Sequence, residues 1–274
     1  MPLPSVIDSV IPRGHADSQP GRKPQQETGS PCATCRTMGV VTGSASSVAD
    51  PRQQVAEYVA EVVRRRWPTA VLAIGLHGCY GDDDGAGDVR LVVVTYQAAV
   101  GPRPATRRID GVLVDMDVIT AKEYLRRART LSPSWPLTAN RYLACYPLYD
   151  PDGWHDRLRD THLARLAEAG CREFVMLARD AWYDAWRLAT QAYRLAERYD
   201  TDGALLVLGQ ARIATAVVDG LLTRTYFKNA VDAVRRTGLT RAHIEDVKAR
   251  LQAQAAELAR HGRPVDSSVD ELLM

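Results

Sequence analysis

The stretch that decides the fold is residues 73–94, AIGLHGCYGDDDGAGDVRLVVV. An apolar run leads into a glycine turn, an acidic loop follows, and a second apolar run opens with Asp88. Apolar, β-branched runs bounded by glycine and aspartate are typical of strands. We therefore predict strands over residues 70–76 and 88–96, joined through a tight turn at residues 78–81.

A third strand is predicted over residues 112–118, where Asp115 and Asp117 alternate with apolar residues. Side chains at alternate positions of a strand point to one face. Carboxylates on neighbouring strands can hold Mg²⁺, and a glycine turn allows the backbone to approach phosphate closely. The pattern indicates a metal–nucleotide site that includes Asp88. The alternative is an ordinary glycine turn in which Asp88 is only a turn residue.

Arg90 breaks this pattern, because it lies two positions after Asp88, where the same strand face would offer a second carboxylate. A guanidinium is permanently charged. Two like charges about 4 Å apart repel by roughly 4 kcal/mol at an effective dielectric near 20. Arg90 therefore opposes a second metal ion at this point.

Composition sets the broad class. The chain has 274 residues, of which 46% are hydrophobic and 25% charged, and its net charge is +2. These values are ordinary for a soluble globular protein and indicate neither a nucleic-acid nor a membrane partner. No apolar run approaches the roughly 18 residues that a membrane span needs, and no secretory signal is evident. We expect a cytoplasmic protein.

Three regions follow from composition and periodicity. Residues 1–48 are rich in Pro, Gly, Ser and Gln, which is typical of a disordered tail, and Cys32 and Cys35 lie within it. Residues 49–160 read as an α/β domain with a mixed sheet and helices, and residues 161–274 as an all-α helical bundle.

Within these regions we predict individual elements from spacing and turn signals. A first helix begins at Asp50-Pro51, and others cover residues 120–128, 205–222 and 244–258. A loop is expected at 102–108, and turns at 202–203 and 238–240. Trp135, Trp182 and Trp186 are interpreted as core residues rather than a sugar-binding surface. His77 is interpreted as a structural residue at the end of a strand.

In combination these features resemble the nucleotidyltransferase superfamily, and within it the kanamycin nucleotidyltransferase (aminoglycoside 4'-O-nucleotidyltransferase) family. The resemblance is carried by the glycine turn, by Asp88, by the third strand, and by the segments 135–138 (WPLT) and 147–153 (PLYDPDG). It covers roughly residues 51–274.

The resemblance implies an enzyme that transfers a nucleoside monophosphate from ATP to a hydroxyl of a small molecule, with Mg²⁺ as cofactor. That small molecule would be an aminoglycoside or a biosynthetic intermediate, and the enzyme would be a homodimer. Gly78 and Cys79 match the phosphate turn, and Asp88 and Asp115 match metal ligands, with Asp117 beside them.

The resemblance also implies a general base and a cationic nucleotide contact on an early helix of the bundle. Tyr183 aligns with the base, with Asp180 and Asp184 close to it in sequence, and Arg187 aligns with the cation. These residues also fit an ordinary solvated helix face. Cys79 stands where the family has Ser, and a thiol is a weaker hydrogen-bond donor.

Three interpretations of Arg90 remain open. The enzyme transfers nucleotides with a modified metal site. Alternatively, Arg90 replaces the metal by contacting Asp88, Asp115 or phosphate, which leaves a protein that only binds a ligand. In the third interpretation the fold is repurposed, and Asp88, Asp115, Tyr183 and Asp184 perform different acid–base chemistry in specialised metabolism.

Overall fold

The structure is a computed structural model that describes residues 50–77, 88–266 and 268–269. The predicted tail at 1–48 and the turn residues Gly78 and Cys79 lie outside the described residues. The strands are β1 (Val71–His77), β2 (Val89–Thr95), β3 (Ala105–Ile109), β4 (Val112–Thr120) and β5 (Cys145–Tyr149). The helices are α1 (Pro51–Arg66), α2 (Ala121–Ala128), α3 (Trp135–Thr138), α4 (Asn140–Leu143), α5 (Trp154–Glu168), α6 (Cys171–Glu197), α7 (Thr201–Leu222), α8 (Ala230–Arg236) and α9 (Ile244–Arg260).

The described strands form one mixed sheet in the order β3-β4-β2-β1-β5. β2 and β4 are parallel, and the other neighbouring pairs are antiparallel. The helical region α5–α9 follows the sheet. The predicted fold class, a mixed sheet with helices followed by a helical region, is therefore confirmed.

The predicted loop at 102–108 is wrong, because β3 begins at Ala105 and pairs with β4 along an edge of the sheet. Its sequence, ATRRI, is too polar to show the apolar alternation of a half-buried strand. The connection to β4 is a two-residue turn in which Asp110 and Gly111 both have positive φ, as a tight hairpin requires.

Helix α1 covers one face of the sheet. Asp50 caps it by accepting a hydrogen bond from the Arg52 N–H, and Pro51 occupies its first turn. The apolar stripe of α1, which includes Val55 and Val63, packs against buried side chains of β1, β2 and β4. This face is a closed hydrophobic core.

The opposite face is covered only in part. Tyr124 of α2 and Trp154 and Leu158 of α5 pack over Leu72 and Val94. Farther along β2 and β4 the same face carries exposed polar residues. The helices thus bury one end of this face, and no described residue covers the other end.

The helical region has its own core, in which α6, α7 and α9 pack on one another through alanine, leucine and valine side chains. Long helices over the predicted segments 205–222 and 244–258 are confirmed. The predicted turn at 202–203 is wrong, because Asp200 accepts a hydrogen bond from the Gly203 N–H and so starts α7 before these residues.

The structure bears on the predicted division of the chain into domains. The predicted domain boundary at 160/161 falls inside α5, which contacts both β1 and α2, and residues 48–274 form one compact unit. The division of this unit into two domains stays a prediction.

Among the described residues, α7 is long and apolar enough to cross a membrane by length and composition alone, but half of its apolar window is buried inside the protein.

Candidate functional site

The end of the sheet face that no described residue covers brings together charged residues from two strands. Arg90 of β2 lies directly beside Asp115 of β4 in the parallel register, and Asp117 lies two positions farther along β4. Arg90, Asp88, Asp115 and Asp117 are all exposed, whereas Val89 and Leu91 on either side of Arg90 are each 1% exposed. The predicted placement of these charges on one strand face agrees with this alternation.

Arg90 makes no ion pair with any residue that the structure describes. Asp115 instead accepts a hydrogen bond of 2.7 Å from the Thr106 hydroxyl, across the β3–β4 pairing. Asp117 accepts a hydrogen bond of 3.1 Å from the backbone N–H of Val118. The guanidinium is therefore adjacent to Asp115 but not held by it.

The carboxylates do not form a preassembled metal centre. Within residues 50–77 and 88–266, no group of three or more His, Cys, Asp and Glu side chains is arranged to hold one ion. Asp88, Asp115 and Asp117 offer the oxygen donors that Mg²⁺ prefers. The fixed charge of Arg90 beside Asp115 does not fit two Mg²⁺ ions.

His77 ends β1 beside this charged row. Its backbone pairs with Cys145 of β5, and the β1–β2 register, with Leu76 opposite Leu91, brings His77 next to Arg90. Burial, with the charges of Arg141, His155 and Arg90, lowers the pKa of His77 to about 4. Its imidazole is therefore neutral at pH 7, and its buried Nδ1 has no hydrogen-bond partner among the described residues.

A buried Asp–His pair lies next to β1. Asp150 accepts hydrogen bonds from the backbone N–H groups of Trp154 (2.7 Å) and His155 (2.9 Å), and its carboxylate lies 3.0 Å from His155 Nδ1. Burial raises the pKa of Asp150, but these hydrogen bonds outweigh it and leave the pKa below its usual value. The ionised carboxylate orients the ring by accepting a hydrogen bond from its Nδ1–H.

This pair packs into space left by Gly75. A Cβ on Gly75 would overlap the Cys145 thiol and lie 2.6 Å from His155 Nε2. Burial, with a smaller effect of Asp150, raises the pKa of Cys145 to about 12, so its thiol stays protonated. The arrangement holds α5 and β5 tightly against β1.

The predicted residues of α6 lie elsewhere in the structure. Tyr183 donates a hydrogen bond of 2.8 Å to the Val265 carbonyl and accepts one of 3.1 Å from Arg179 Nε. Asp184 and Arg187 form an exposed ion pair at 3.5 Å, and Asp180 is exposed. The structure shows no hydrogen bond or ion pair from these predicted residues to the described part of the sheet. Their catalytic role stays a prediction.

The interpretation of the tryptophans as core residues agrees with the structure for two of the three. Trp135 and Trp182 are 3% and 7% exposed. Trp186 is 36% exposed and stacks on Trp182 with ring centroids 5.2 Å apart.

Comparison with solved structures finds distant likenesses of fold. The chain is similar to a nucleotidyltransferase-like protein from Exiguobacterium sibiricum, with a TM-score of 0.42, 13% sequence identity and coverage of 75% of this chain and 77% of that one. No family model and no curated protein matches the chain. A likeness at this level assigns neither a family nor an activity.

Sequence reasoning missed several residues around this site: Arg141, Cys145, Asp150 and His155. Asp150 and His155 had a local signal, because an aspartate shortly before a helix start is typical of a capping residue. Arg141 and Cys145 had none. Cys145 lies beside His77 only because β5 pairs with β1 at the end of the sheet opposite β3, and the charge of Arg141, in the helix just before β5, acts on the same imidazole.

Proposed function

We propose that this protein is a nucleotidyltransferase-type enzyme that binds ATP or a related nucleoside triphosphate and transfers a nucleoside monophosphate to a hydroxyl of a small molecule. The observation that carries the proposal is the exposed Arg90 beside Asp115 on the sheet face, which forms no ion pair within residues 50–77 and 88–266. The residue pattern at 73–94 and its resemblance to nucleotidyltransferases supply the reaction class.

The chemistry of Arg90 suits the phosphates of such a substrate. A guanidinium can donate two parallel hydrogen bonds to a phosphate group. Because no described carboxylate pairs with Arg90, phosphate binding there breaks no ion pair that the described residues form. Hydrogen bonds to charged groups contribute about 1.5–3 kcal/mol each.

The carboxylates of β4 are suited to take the proton of the substrate hydroxyl that receives the nucleotide. In the transfer, the acceptor oxygen forms a bond to the α-phosphorus, the bond from that phosphorus to the bridging oxygen breaks, and pyrophosphate leaves. The acceptor proton passes to a carboxylate, for which Asp115 or Asp117 is available on the same face. Mg²⁺, when bound to Asp88, Asp115 or Asp117, would neutralise phosphate charge.

The acceptor class and the assembly are part of the proposal. An aminoglycoside-like molecule or a biosynthetic intermediate with free hydroxyls is the proposed substrate. A homodimer is the proposed assembly.

A protein that binds nucleotide without transferring it is the second candidate. It is favoured by the same Arg90, whose permanent charge stands where a second metal ligand would be needed. A repurposed acid–base enzyme of specialised metabolism belongs to this same non-transferring class. Nucleotide binding without pyrophosphate release would identify a protein of this non-transferring class.

Pyrophosphate release tests the first candidate. Purified protein is incubated with ATP, Mg²⁺ and either kanamycin or tobramycin, then with a wider panel of hydroxylated small molecules. Release that depends on the acceptor and is lost in Asp115→Asn supports transfer. Absence of both release and ATP binding contradicts the proposal.

Arg90→Ala tests whether Arg90 binds the phosphates of ATP. We expect at least a tenfold loss of ATP affinity by calorimetry, because a charge-assisted contact is removed. Arg107→Ala is the matched control, since Arg107 is an exposed arginine on β3 whose strand position faces away from Asp115. The control should bind ATP within about twofold of the native protein.

A further inference from the structure

The Cys145 thiol and the His155 imidazole converge beside Gly75. Cys145 Sγ and His155 Nε2 both lie within 2.6 Å of the point where a Cβ on Gly75 would stand. The two atoms are therefore separated by no more than twice that distance. Cys145 opens β5 and His155 lies in the first turn of α5, so a ligand bound to both atoms would join the strand to the helix.

The His155 ring is held by one nitrogen and leaves the other without a partner. Its Nδ1 lies 3.0 Å from the Asp150 carboxylate, so Nε2 is the ring atom left for a ligand. His155 is only 7% exposed, and its buried Nε2 has no hydrogen-bond partner among the described residues. A buried polar atom without a partner is costly, and a ligand at Nε2 would remove that cost.

The donor set indicates the kind of ligand. A histidine that binds a metal ion usually donates its other ring N–H to a carboxylate, as His155 does to Asp150. Thiolate and imidazole are ligands that soft d¹⁰ ions prefer. Within residues 50–77 and 88–266 no group of three such donors surrounds one point. Two donors suit Cu⁺, which forms two-coordinate complexes, better than Zn²⁺, which takes four ligands.

The distances and charges around Gly75 also suit such an ion. Metal bonds measure about 2.3 Å to a thiolate sulfur and about 2.0 Å to an imidazole nitrogen, which is close to the spacing of both atoms around the Gly75 position. Binding of Cu⁺ breaks the S–H bond of Cys145, forms the Cu–S and Cu–N bonds and releases one proton to solvent, without a change in oxidation state. The charge of Cu⁺ then cancels that of the thiolate, which lowers the cost of burying either charge.

We propose that Cys145 Sγ and His155 Nε2 form a binding site for one soft monovalent cation, Cu⁺. The site uses none of the charged residues of β2 and β4 and does not depend on nucleotidyl transfer. Because β5 is the edge strand next to β1, the bound ion would fasten α5 to the edge of the sheet.

Competition with a Cu⁺ chelator of known affinity, under reducing conditions, tests the site on the full-length chain. The substitutions Cys32→Ser, Cys35→Ser, Cys79→Ser and Cys171→Ser leave Cys145 as the only thiol, and this variant is called the Cys145 chain. We expect it to bind one Cu⁺ and to unfold at a higher temperature with Cu⁺ than without, because an ion that binds only the folded protein stabilises it. Zn²⁺ at equal concentration should leave the Cu⁺ in place.

A second full-length variant, the Cys171 chain, is the matched control. It carries Cys145→Ser and keeps Cys171, an exposed thiol at the start of α6, as its only thiol. The Cys171 chain should bind Cu⁺ at least tenfold more weakly than the Cys145 chain. In the Cys145 chain, His155→Gln should lower the affinity to that of the control, whereas His261→Gln, at an exposed histidine, should leave it unchanged.

The outcomes decide the proposal in either direction. Equal Cu⁺ affinities of the Cys145 and Cys171 chains, or an unchanged affinity in His155→Gln, would overturn the site. Displacement of Cu⁺ by Zn²⁺ would overturn its two-ligand coordination. If His155→Gln does not fold, nitrogen NMR of the Cys145 chain replaces it: Cu⁺ must shift the Nε2 resonance of His155, and a resonance that stays in place contradicts the proposal.

Discussion

At the scale of single residues, close packing around position 75 leaves room only for glycine. Its position in β1 faces the Cys145 thiol and the His155 ring, and a Cβ there would overlap atoms of both side chains. Neither neighbour can withdraw freely, because His155 is held by Asp150 and Cys145 belongs to β5. Glycine is therefore required by space rather than by backbone conformation.

Gly75→Ala should accordingly lower the free energy of unfolding by about 1–3 kcal/mol, the usual cost of overpacking. Gly209→Ala is the matched control, because Gly209 lies inside α7 and a Cβ there would meet nothing within 4 Å. Alanine favours a helix interior by up to about 1 kcal/mol over glycine, so this variant should be neutral or more stable. Urea denaturation measures both, and equal effects in the two variants would contradict the packing argument.

At the scale of elements, Asp150 starts α5. Gly153, in left-handed conformation before the helix, has no side chain to cap it, and Asp150 accepts the N–H groups of Trp154 and His155 instead. An aspartate with these bonds also suits the positive end of the helix dipole. The start of α5 and the orientation of His155 thus depend on one carboxylate.

Asp150→Ala should lower the free energy of unfolding by about 0.5–2 kcal/mol, as removal of a helix cap does. Asp152→Ala serves as the control, since Asp152 is exposed and no hydrogen bond of its side chain is seen within the described residues. Hydrogen exchange of the first turn of α5 should increase in the Asp150 variant alone. Protection that is unchanged in that turn would show that the cap does not act locally.

Elements also show where prediction from sequence succeeds. The sequence predicts β4 because apolar residues alternate with Asp115 and Asp117, and it predicts β2 because a nearly continuous apolar run follows Asp88; both signals are local. β3 was missed because an edge strand that faces solvent needs no apolar alternation, and its strand character comes only from pairing with β4.

At the scale of the whole molecule, His162 joins two cores. It is fully buried in α5, where its Nδ1–H donates to the Ala128 carbonyl at 2.7 Å and its Nε2 accepts the Trp135 indole N–H at 3.1 Å. Ala128 belongs to the core above the sheet, and Trp135 belongs to the core of the helical region. Protonation of Nε2 would remove the acceptor for Trp135.

Stability should therefore fall in mild acid. Burial lowers the pKa of His162, and the charge of Arg165 adds to this against the opposing hydrogen bond to Ala128. Burial also lowers the pKa of His77 to about 4. Because the unfolded histidines bind protons more readily, stability is intact above an unfolded pKa of about 6.5 and is lost as pH falls below it.

Urea denaturation between about pH 7.5 and about pH 5 measures this dependence. In His162→Gln the decrease in stability over that interval should be smaller than in the native protein, although the variant is less stable throughout. His261→Gln, at an exposed histidine, should keep the native pH dependence. An identical slope in the His162 and His261 variants would exclude His162 as the titrating group.

By itself, the sequence determined the order of the regions, the strands with apolar alternation, and the presence of Arg90 and Asp115 on exposed strand positions. These follow from local periodicity, which depends on neighbours only a few residues away. Only the tertiary structure decided that Asp115 bonds to Thr106 rather than pairing with Arg90, and that His77 lies next to Arg90 across the β1–β2 pairing. These facts depend on strand order and register, because the contacts join segments that are distant in the chain.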